Sequence, residues 1–230
     1  MRQEDLLLAI LYLLLLSAAA LAGKEKAEPL QRLDEATAVF KEIMGAPDKS
    51  IPQDLLDKSE CIVIVPGLKK GAFIIGGKYG KGYISCRKQR AGWSAPGTVR
   101  VEGGSFGLQI GGSESDVIML VMNNRGAEKL LSSKFTLGGE GEVAAGPVGR
   151  DATAQTDAMM RAEILSWSRS RGVFAGISLQ GATLRQDLDD NGAIYGRKVT
   201  NREIVQSSSM PVPNAAQGLV SILNKYSSRK

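Results

Sequence analysis

The spacing of apolar residues predicts a helix near each end of the folded part of the chain, with strands between them. Leu33, Phe40 and Ile43 lie on one face of a helical period from Leu30 to Met44, and Gly45-Ala46-Pro47 ends that helix. From Cys61 onward the period becomes that of strands. Strands are predicted at Cys61 to Val65, Ala72 to Tyr79, Gly82 to Arg87, Thr98 to Val101, Ser105 to Ile110, Asp116 to Met122 and Gly172 to Leu184, and a closing helix from about Asn214 to Tyr226.

This order of elements predicts an α+β fold with an N-terminal and a C-terminal helix. Between the helices we expect a glycine-rich, mainly antiparallel sheet that is curled or barrel-like, because the chain has 27 glycines and few aromatic residues. Two segments have the composition of turns between strands, Tyr79-Gly80-Lys81-Gly82 and Asp189-Asp190-Asn191-Gly192.

The polar side of the first predicted helix indicates how that helix is used. It carries Arg32, Asp34, Glu35, Lys41 and Glu42, an acid-rich mixture unlike the basic face of a helix that lies in a membrane interface. We therefore expect the apolar face to pack on the sheet, and any membrane contact to come from the strands.

The first 22 residues are predicted to be a secretory signal peptide. Met1-Arg2 precedes an eleven-residue apolar run from Leu6 to Leu16, and Ala20-Leu21-Ala22 is a small-x-small cleavage site. Glu4 and Asp5 are atypical of the basic start, so retention as an N-terminal anchor stays an alternative. Residues 23–29 are then a linker and 30–228 a single domain, exported and periplasmic or envelope-associated.

The two cysteines, Cys61 and Cys86, could pair in an oxidising compartment. If they lie on the first and third strands of a meander, however, two strand spacings of roughly 9 to 10 Å separate them. That distance exceeds the ~7 Å limit between the Cα atoms of a disulfide. We therefore expect two buried thiols.

The most unusual charge pattern is a stretch from Cys61 to Val101 that has eight basic side chains and no acid. Surfaces normally mix both signs, so this stretch indicates a surface for phosphates or another acidic partner. The alternative is that acids from elsewhere in the fold neutralise it. The candidate anion-binding residues are Lys69, Lys70, Lys78, Lys81, Arg87, Lys88 and Arg90, together with Arg150.

The residue types argue against an enzyme, a metal site and a cofactor. The chain contains no histidine, which removes the commonest general base and the usual zinc ligand. Gly139-Glu140-Gly141-Glu142 spells part of a dinucleotide motif, but its two glutamates would repel a pyrophosphate, so a conformational role is favoured for its glycines. The basic residues are not interleaved with exposed aromatics, so nucleic acid is not an expected partner.

Glycines also define the segment Gly146-Pro147-Val148-Gly149-Arg150. Pro147 has no amide proton to give an anion, so we expect these glycines to serve backbone geometry. The role of Arg150 stays open: it could contact a ligand or form a structural ion pair.

Several of these segments together resemble the SYLF domain family, a lipid-binding and actin-bundling family. The matching segments are Val63-Ile64-Val65-Pro66, Gly76-Gly77-Lys78-Tyr79-Gly80-Lys81-Gly82, Gly92-Trp93-Ser94-Ala95-Pro96, Ser105 to Gly112, Lys134-Phe135-Thr136-Leu137-Gly138, Ala145 to Arg150, Ser168 to Gly176, and Tyr195-Gly196.

The resemblance implies a non-enzymatic domain that binds anionic phospholipids, with phosphoinositides as the ligands in eukaryotes, through a positive patch helped by an N-terminal helix. An acidic envelope protein or a glycan is the alternative partner. Actin is not expected, because an exported protein would not meet it. The chain departs from the family pattern at Gly139 to Glu142, which puts any function of that loop in doubt.

Overall fold

The structure is a computed structural model that describes residues 27–46, 50–72, 75–88, 92–106, 111–148, 162–170, 173–176, 179 and 181–227. The predicted signal segment, Arg90, Gly149 and Arg150 lie outside these ranges. Within them, no helix has both the length and the hydrophobicity that crossing a bilayer requires. The elements are α1 (27–44), α2 (Gln53–Lys58), β1 (Cys61–Ala72), β2 (Ile75–Cys86), β3 (Gly97–Phe106), β4 (Gly111–Val121), α3 (Asn124–Leu130), β5 (Lys134–Thr136), β6 (Val143–Ala145), β7 (Ile164–Ser170), β8 (Val173–Gly176), β9 (Thr183–Gln186), α4 (Leu188–Tyr195), α5 (Asn201–Gln206) and α6 (Gln217–Tyr226).

The described strands form one curled sheet in the order β5-β9-β3-β2-β1-β4-β7-β6, with β8 paired to β7. The paired strands are antiparallel except β6 and β7, which run parallel. The predicted α+β fold with a curled, mainly antiparallel sheet and terminal helices is confirmed.

Alternation along β1 divides the core between the two faces of the sheet. Val63 and Val65 belong to a cluster with Leu130 and Val205, so we call this side the α3/α5 face. Ile62 and Ile64 belong to the cluster of the other side, which α1 and α6 cover and which we call the α1/α6 face.

Helix α1 packs against the sheet, as its polar side predicted. Leu33, Ala36 and Phe40 are completely buried. Polar contacts fix both ends of the helix: Arg32 bonds Asp190 at 2.7 Å, and Glu42 forms an ion pair with Arg169. The helix is therefore part of the core in this state.

The expectation of two buried thiols is wrong, because Cys61 and Cys86 form a disulfide. The predicted boundaries divide one hairpin into three strands. In the structure, β1 and β2 are continuous over twelve residues each, and Cys61 is the direct register partner of Cys86. The bond closes a loop with a sequence separation of 25, which in the chain-entropy model stabilises a fold by about 3 kcal/mol.

The predicted turn at residues 79–82 is also wrong, since these residues lie inside β2. Their glycines allow close approach between strands: a Cβ at Gly82 would lie 2.1 Å from the carbonyl oxygen of Ile64. Composition alone does not distinguish glycines of this kind from turn glycines.

The predicted turn at Asp189-Asp190-Asn191-Gly192 is instead the start of α4. The side chain of Asp187 accepts a hydrogen bond from the Asp190 amide and so caps the helix. Asn191 is fully buried, accepting from the Thr98 amide and donating to the Val199 carbonyl. Helix α4 is thereby tied to β3.

Candidate anion-binding surface

A bulge in β1 determines which way the lysines of this strand point. The pairing of β1 with β4 shifts by one residue between Val65 and Leu68, and Gly67 takes the left-handed conformation at φ 57°. The Gly67 amide donates to Asp116 at 3.0 Å. After the bulge the even-numbered residues lie on the α3/α5 face, so Lys70 is on that face and Lys69 on the opposite one.

Lys70 and Lys78 face each other directly across β1 and β2, on the α3/α5 face. Both side chains are partly exposed. The other strand neighbours of the pair are Ser113 for Lys70 and Gly103 for Lys78, neither of which carries charge. Among the described residues, neither lysine has a carboxylate at ion-pair distance. We call these two residues the lysine pair.

The lysine pair is electrostatically unfavourable without a partner. Burial, and then the positive charge of Lys78, lower the pKa of Lys70 below its ordinary value. Like charges directly opposite each other destabilise a sheet. An anion placed between the two ammonium groups would remove this repulsion, so the arrangement favours an anionic ligand.

Lys69 and Tyr79 lie opposite each other at the same end of the hairpin, on the α1/α6 face. Lys69 is exposed to solvent, and Tyr79 is 50% exposed. On the other side of Lys69 the register partner is Glu114 of β4. The sequence gives no signal that Tyr79 is exposed, because this residue lies where a predicted strand meets a predicted turn and the direction of its ring is not fixed there.

Lys81 has a structural role and is not part of a free basic surface. Its ammonium group contacts Asp187 at 3.0 Å and Asp190 at 2.9 Å. Burial alone would lower the pKa of Lys81, but the hydrogen bonds to Asp190 and Asp187 outweigh burial and raise it. The same contact lowers the pKa of Asp187, against the opposing effect of burial. For this residue, acids from elsewhere in the fold do neutralise the basic stretch.

Arg87 also has a structural role. Its guanidinium donates to the carbonyl oxygen of Leu56 at 2.9 Å, to that of Ser59 at 3.2 Å and to that of Ser227. It also stacks over Trp93, with its central carbon 3.9 Å from the ring centroid. Trp93 is 2% exposed and donates its indole N–H to Ser227. Arg87 and Trp93 therefore join β2, α2 and the end of α6.

The structure does not bring the predicted basic residues together on one surface. Lys70 and Lys78 share a face, and Lys69 lies on the other face of the same hairpin end. Lys81 and Arg87 make contacts that stabilise the fold. Lys88 follows the far end of β2, ten residues from Lys78, or roughly 30 Å along an extended strand. Arg90 and Arg150 lie outside the described residues. The predicted surface therefore reduces to the lysine pair, with Lys69 on the opposite face of the same hairpin end.

In the glycine-rich loop after β5, the glycines serve the backbone conformation, which is the role that the sequence predicted for them. Gly138 has φ 80°, and its amide donates to the carbonyl of Gly141 at 2.9 Å. A Cβ at Gly141 would lie 2.6 Å from a carboxylate oxygen of Glu163. Glu140 accepts from the Thr136 amide at 3.1 Å.

Gly146, in the next glycine-rich segment, also allows a close approach. A Cβ there would lie 2.0 Å from the Trp167 ring. Within the described ranges, no three acidic, cysteine or histidine side chains converge in a metal-binding group.

The chain matches a family model over residues 102–226, described as Ysc84, Las17-binding protein actin regulator. The SH3 domain-containing YSC84-like protein 1 of Rattus norvegicus is 30% identical over 208 residues, which are 90% of this chain and 59% of that protein. The LAS seventeen-binding protein 3 of Saccharomyces cerevisiae is 33% identical over 176 residues, 75% of this chain and 38% of that protein. The chain thus spans less than two thirds of the length of these relatives. These names describe binding and regulatory proteins, not enzymes. The resemblance found in the sequence motifs is confirmed, and the chain belongs to the Ysc84 (SYLF) family.

Proposed function

We propose that this protein is a non-enzymatic domain that binds anionic phospholipid surfaces, including phosphoinositide-like headgroups, through the lysine pair. The observation that carries the proposal is that Lys70 and Lys78 are direct cross-strand partners with uncharged neighbours on β3 and β4. A fold gains no stability from such a pair. A phosphate would accept hydrogen bonds from both ammonium groups and neutralise both charges.

The surroundings of the lysine pair favour a membrane over a small soluble anion. The pair lies on open strand surface at the end of a long hairpin, and the half-exposed Tyr79 lies on the other face of that end. Tyrosine is enriched at the boundary between water and lipid because its ring is apolar and its hydroxyl polar. Lys69, which lies opposite Tyr79 on that face, adds a third cation. Each cation near an anionic surface contributes about 1 kcal/mol, so binding should be useful but sensitive to salt.

The cellular setting we propose is outside the cytosol, in the periplasm or bound to the envelope. The apolar run at Leu6 to Leu16 with its small-x-small site supports export. The Cys61–Cys86 disulfide supports it independently, because such bonds persist in oxidising compartments.

A protein-interaction module is the second candidate. The family description names a Las17-binding actin regulator, and the relatives carry related names. In this alternative the lysine pair would meet an acidic protein or a glycan instead of a lipid. An actin-regulatory partner requires a cytosolic protein, so it competes with the proposal of export.

Vesicle co-sedimentation separates these candidates. We expect residues 23–230 to pellet with vesicles of phosphatidylcholine and phosphatidylserine, and not with phosphatidylcholine alone. The bound fraction should fall steeply as ionic strength rises to roughly 0.15 M and beyond, because salt screens exposed charges. Equal pelleting with both vesicle types would contradict charge recognition. Binding to soluble polyglutamate with no pelleting on anionic vesicles would favour the protein-interaction module.

A further inference from the structure

A cavity of about 730 Å³ lies on the α3/α5 face, at the end of the sheet far from the lysine pair. Its volume is in the range of small-molecule sites. Both cysteines of the disulfide are among the residues that line it. The lining residues come from the ends of β1 and β2, from α3, and from α5 and the turn that follows it: Glu60, Cys61, Cys86, Arg87, Lys88, Asn124, Ala127, Glu128, Leu131, Val205, Gln206, Ser207 and Ser208.

The two cysteine residues are not equally exposed. As a whole residue Cys86 is 7% exposed and Cys61 1%, so Cys86 is the cysteine that we expect a reagent in the cavity to attack. Lys88 borders the same space, and a nearby cation stabilises a thiolate. Two acids of the lining, Glu60 and Glu128, would oppose a thiolate, and Arg202 pairs with Glu128 at 2.5 Å.

We propose that the Cys61–Cys86 disulfide is a thiol-exchange site that small dithiols reach through this cavity while the protein stays folded. This goes beyond lipid binding, and it assigns a covalent modification to a separate part of the fold.

The exchange has two steps. A thiolate of the dithiol attacks Sγ of Cys86 and forms a mixed disulfide, while the bond to Cys61 breaks and Sγ of Cys61 leaves with the electron pair and takes a proton from water. The second thiolate of the dithiol then attacks the dithiol's first sulfur, which is bonded to Sγ of Cys86. The bond to Cys86 breaks, and Sγ of Cys86 leaves with the electron pair and is protonated in turn. The dithiol is oxidised by two electrons to a disulfide, and the two cysteines are reduced to thiols.

Reduction should loosen the end of the sheet that Arg87 organises. Arg87 follows Cys86 directly and bonds the carbonyls of Leu56, Ser59 and Ser227. Without the disulfide, the pairing of β1 and β2 and these hydrogen bonds hold the strand end. We therefore expect the reduced protein to stay folded and to melt at a lower temperature than the oxidised protein.

Native-state reduction by dithiothreitol tests the proposal. The oxidised chain is incubated without denaturant, free thiols are alkylated at intervals, and the product is measured by mass spectrometry. We expect a rate that is proportional to the dithiothreitol concentration and unchanged by low urea. A rate that reaches a plateau with dithiothreitol and rises steeply with urea would mean that the protein must unfold first, which overturns the proposal, as would a complete lack of reduction.

Variants at the cavity rim test the route of access. Ser208 is exposed, and Ser208→Trp should slow reduction several-fold, while Ser221→Trp on the exposed side of α6 should leave the rate unchanged. Gln206→Trp repeats the test from another rim position if Ser208→Trp does not fold. If the rim variants fold and are reduced as fast as the wild type, access through the cavity is disproved.

Discussion

Replacing Arg87 by alanine should lower the free energy of unfolding by about 4 kcal/mol. The change removes three hydrogen bonds from a charged donor, to the carbonyls of Leu56, Ser59 and Ser227, and a hydrogen bond to a charged group contributes roughly 1.5 to 3 kcal/mol. The low end of that range applies, because the Leu56 carbonyl keeps the Ser59 hydroxyl as a donor and the Ser227 carbonyl keeps the Trp93 indole. The stacking on Trp93 is lost as well. Urea unfolding followed by circular dichroism measures the difference.

The neighbouring lysine provides the control for this variant. Lys88→Ala removes the same charge from the next position, yet Lys88 has no described ion pair, so we expect a change within about 0.5 kcal/mol. If Arg87→Ala is as mild as Lys88→Ala, Arg87 is not structural, and its place in a basic binding surface would have to be reconsidered.

Replacing Gly82 by alanine should destabilise the protein by about 4 kcal/mol, more than the usual cost of overpacking. The added Cβ would lie 2.1 Å from the Ile64 carbonyl oxygen and 2.8 Å from the Val65 Cα. Both are backbone atoms of the paired strand, so no side-chain rotation relieves the contact. Thermal and urea unfolding of the variant measure the loss.

Gly77 on the same strand is the matched control. Its nearest contact for an added Cβ is 4.0 Å away, at the carbonyl oxygen of Gly103. Gly77→Ala should therefore be neutral or slightly stabilising, since glycine inside a strand is itself unfavourable by about 0.5 kcal/mol or more. Equal losses at both positions would contradict the account, because an added Cβ meets the backbone of β1 at Gly82 and has no such contact at Gly77.

The fold class could be predicted from the sequence because it depends on local periodicity. The helical period of Leu30 to Met44 and the apolar side of the last helix both identified helices that pack on the sheet. Strand boundaries were harder to predict. Residues 79–82 have the composition of a turn. Two of them are glycines that lie close to β1 near its bulge. The sequence of residues 79–82 contains no sign of a bulge in the neighbouring strand.

The same limit explains the cysteines and the helix α4. With the hairpin divided wrongly, Cys61 and Cys86 were placed two strands apart, although they are register partners. Asp189 to Gly192 was assigned to a turn because Asp, Asn and Gly favour turns, whereas the side chain of Asp187 makes the segment helical by capping it.

The candidate site was predicted in part. The run of basic residues without acids is visible in the sequence, and it includes the lysine pair. Which of these residues are free depends on contacts between distant segments: Lys81 meets Asp190, 109 residues away, and Arg87 meets Ser227, 140 residues away. The direction of Lys69 and Lys70 depends on the bulge at Gly67. Composition cannot supply either fact.

The most direct test of the lysine pair compares two double variants in their affinity for anionic vesicles. Lys70→Gln with Lys78→Gln removes the pair, and Lys134→Gln with Lys225→Gln removes the same net charge from exposed positions on β5 and α6. We expect the first variant to bind roughly 30-fold more weakly than the wild type, from about 1 kcal/mol per cation, with an unfolding free energy that is unchanged or slightly higher because the repulsion is gone. The second variant should bind nearly as well as the wild type. Equal weakening in the two variants, or none in the first, would contradict the assignment of the lysine pair as the lipid-binding site.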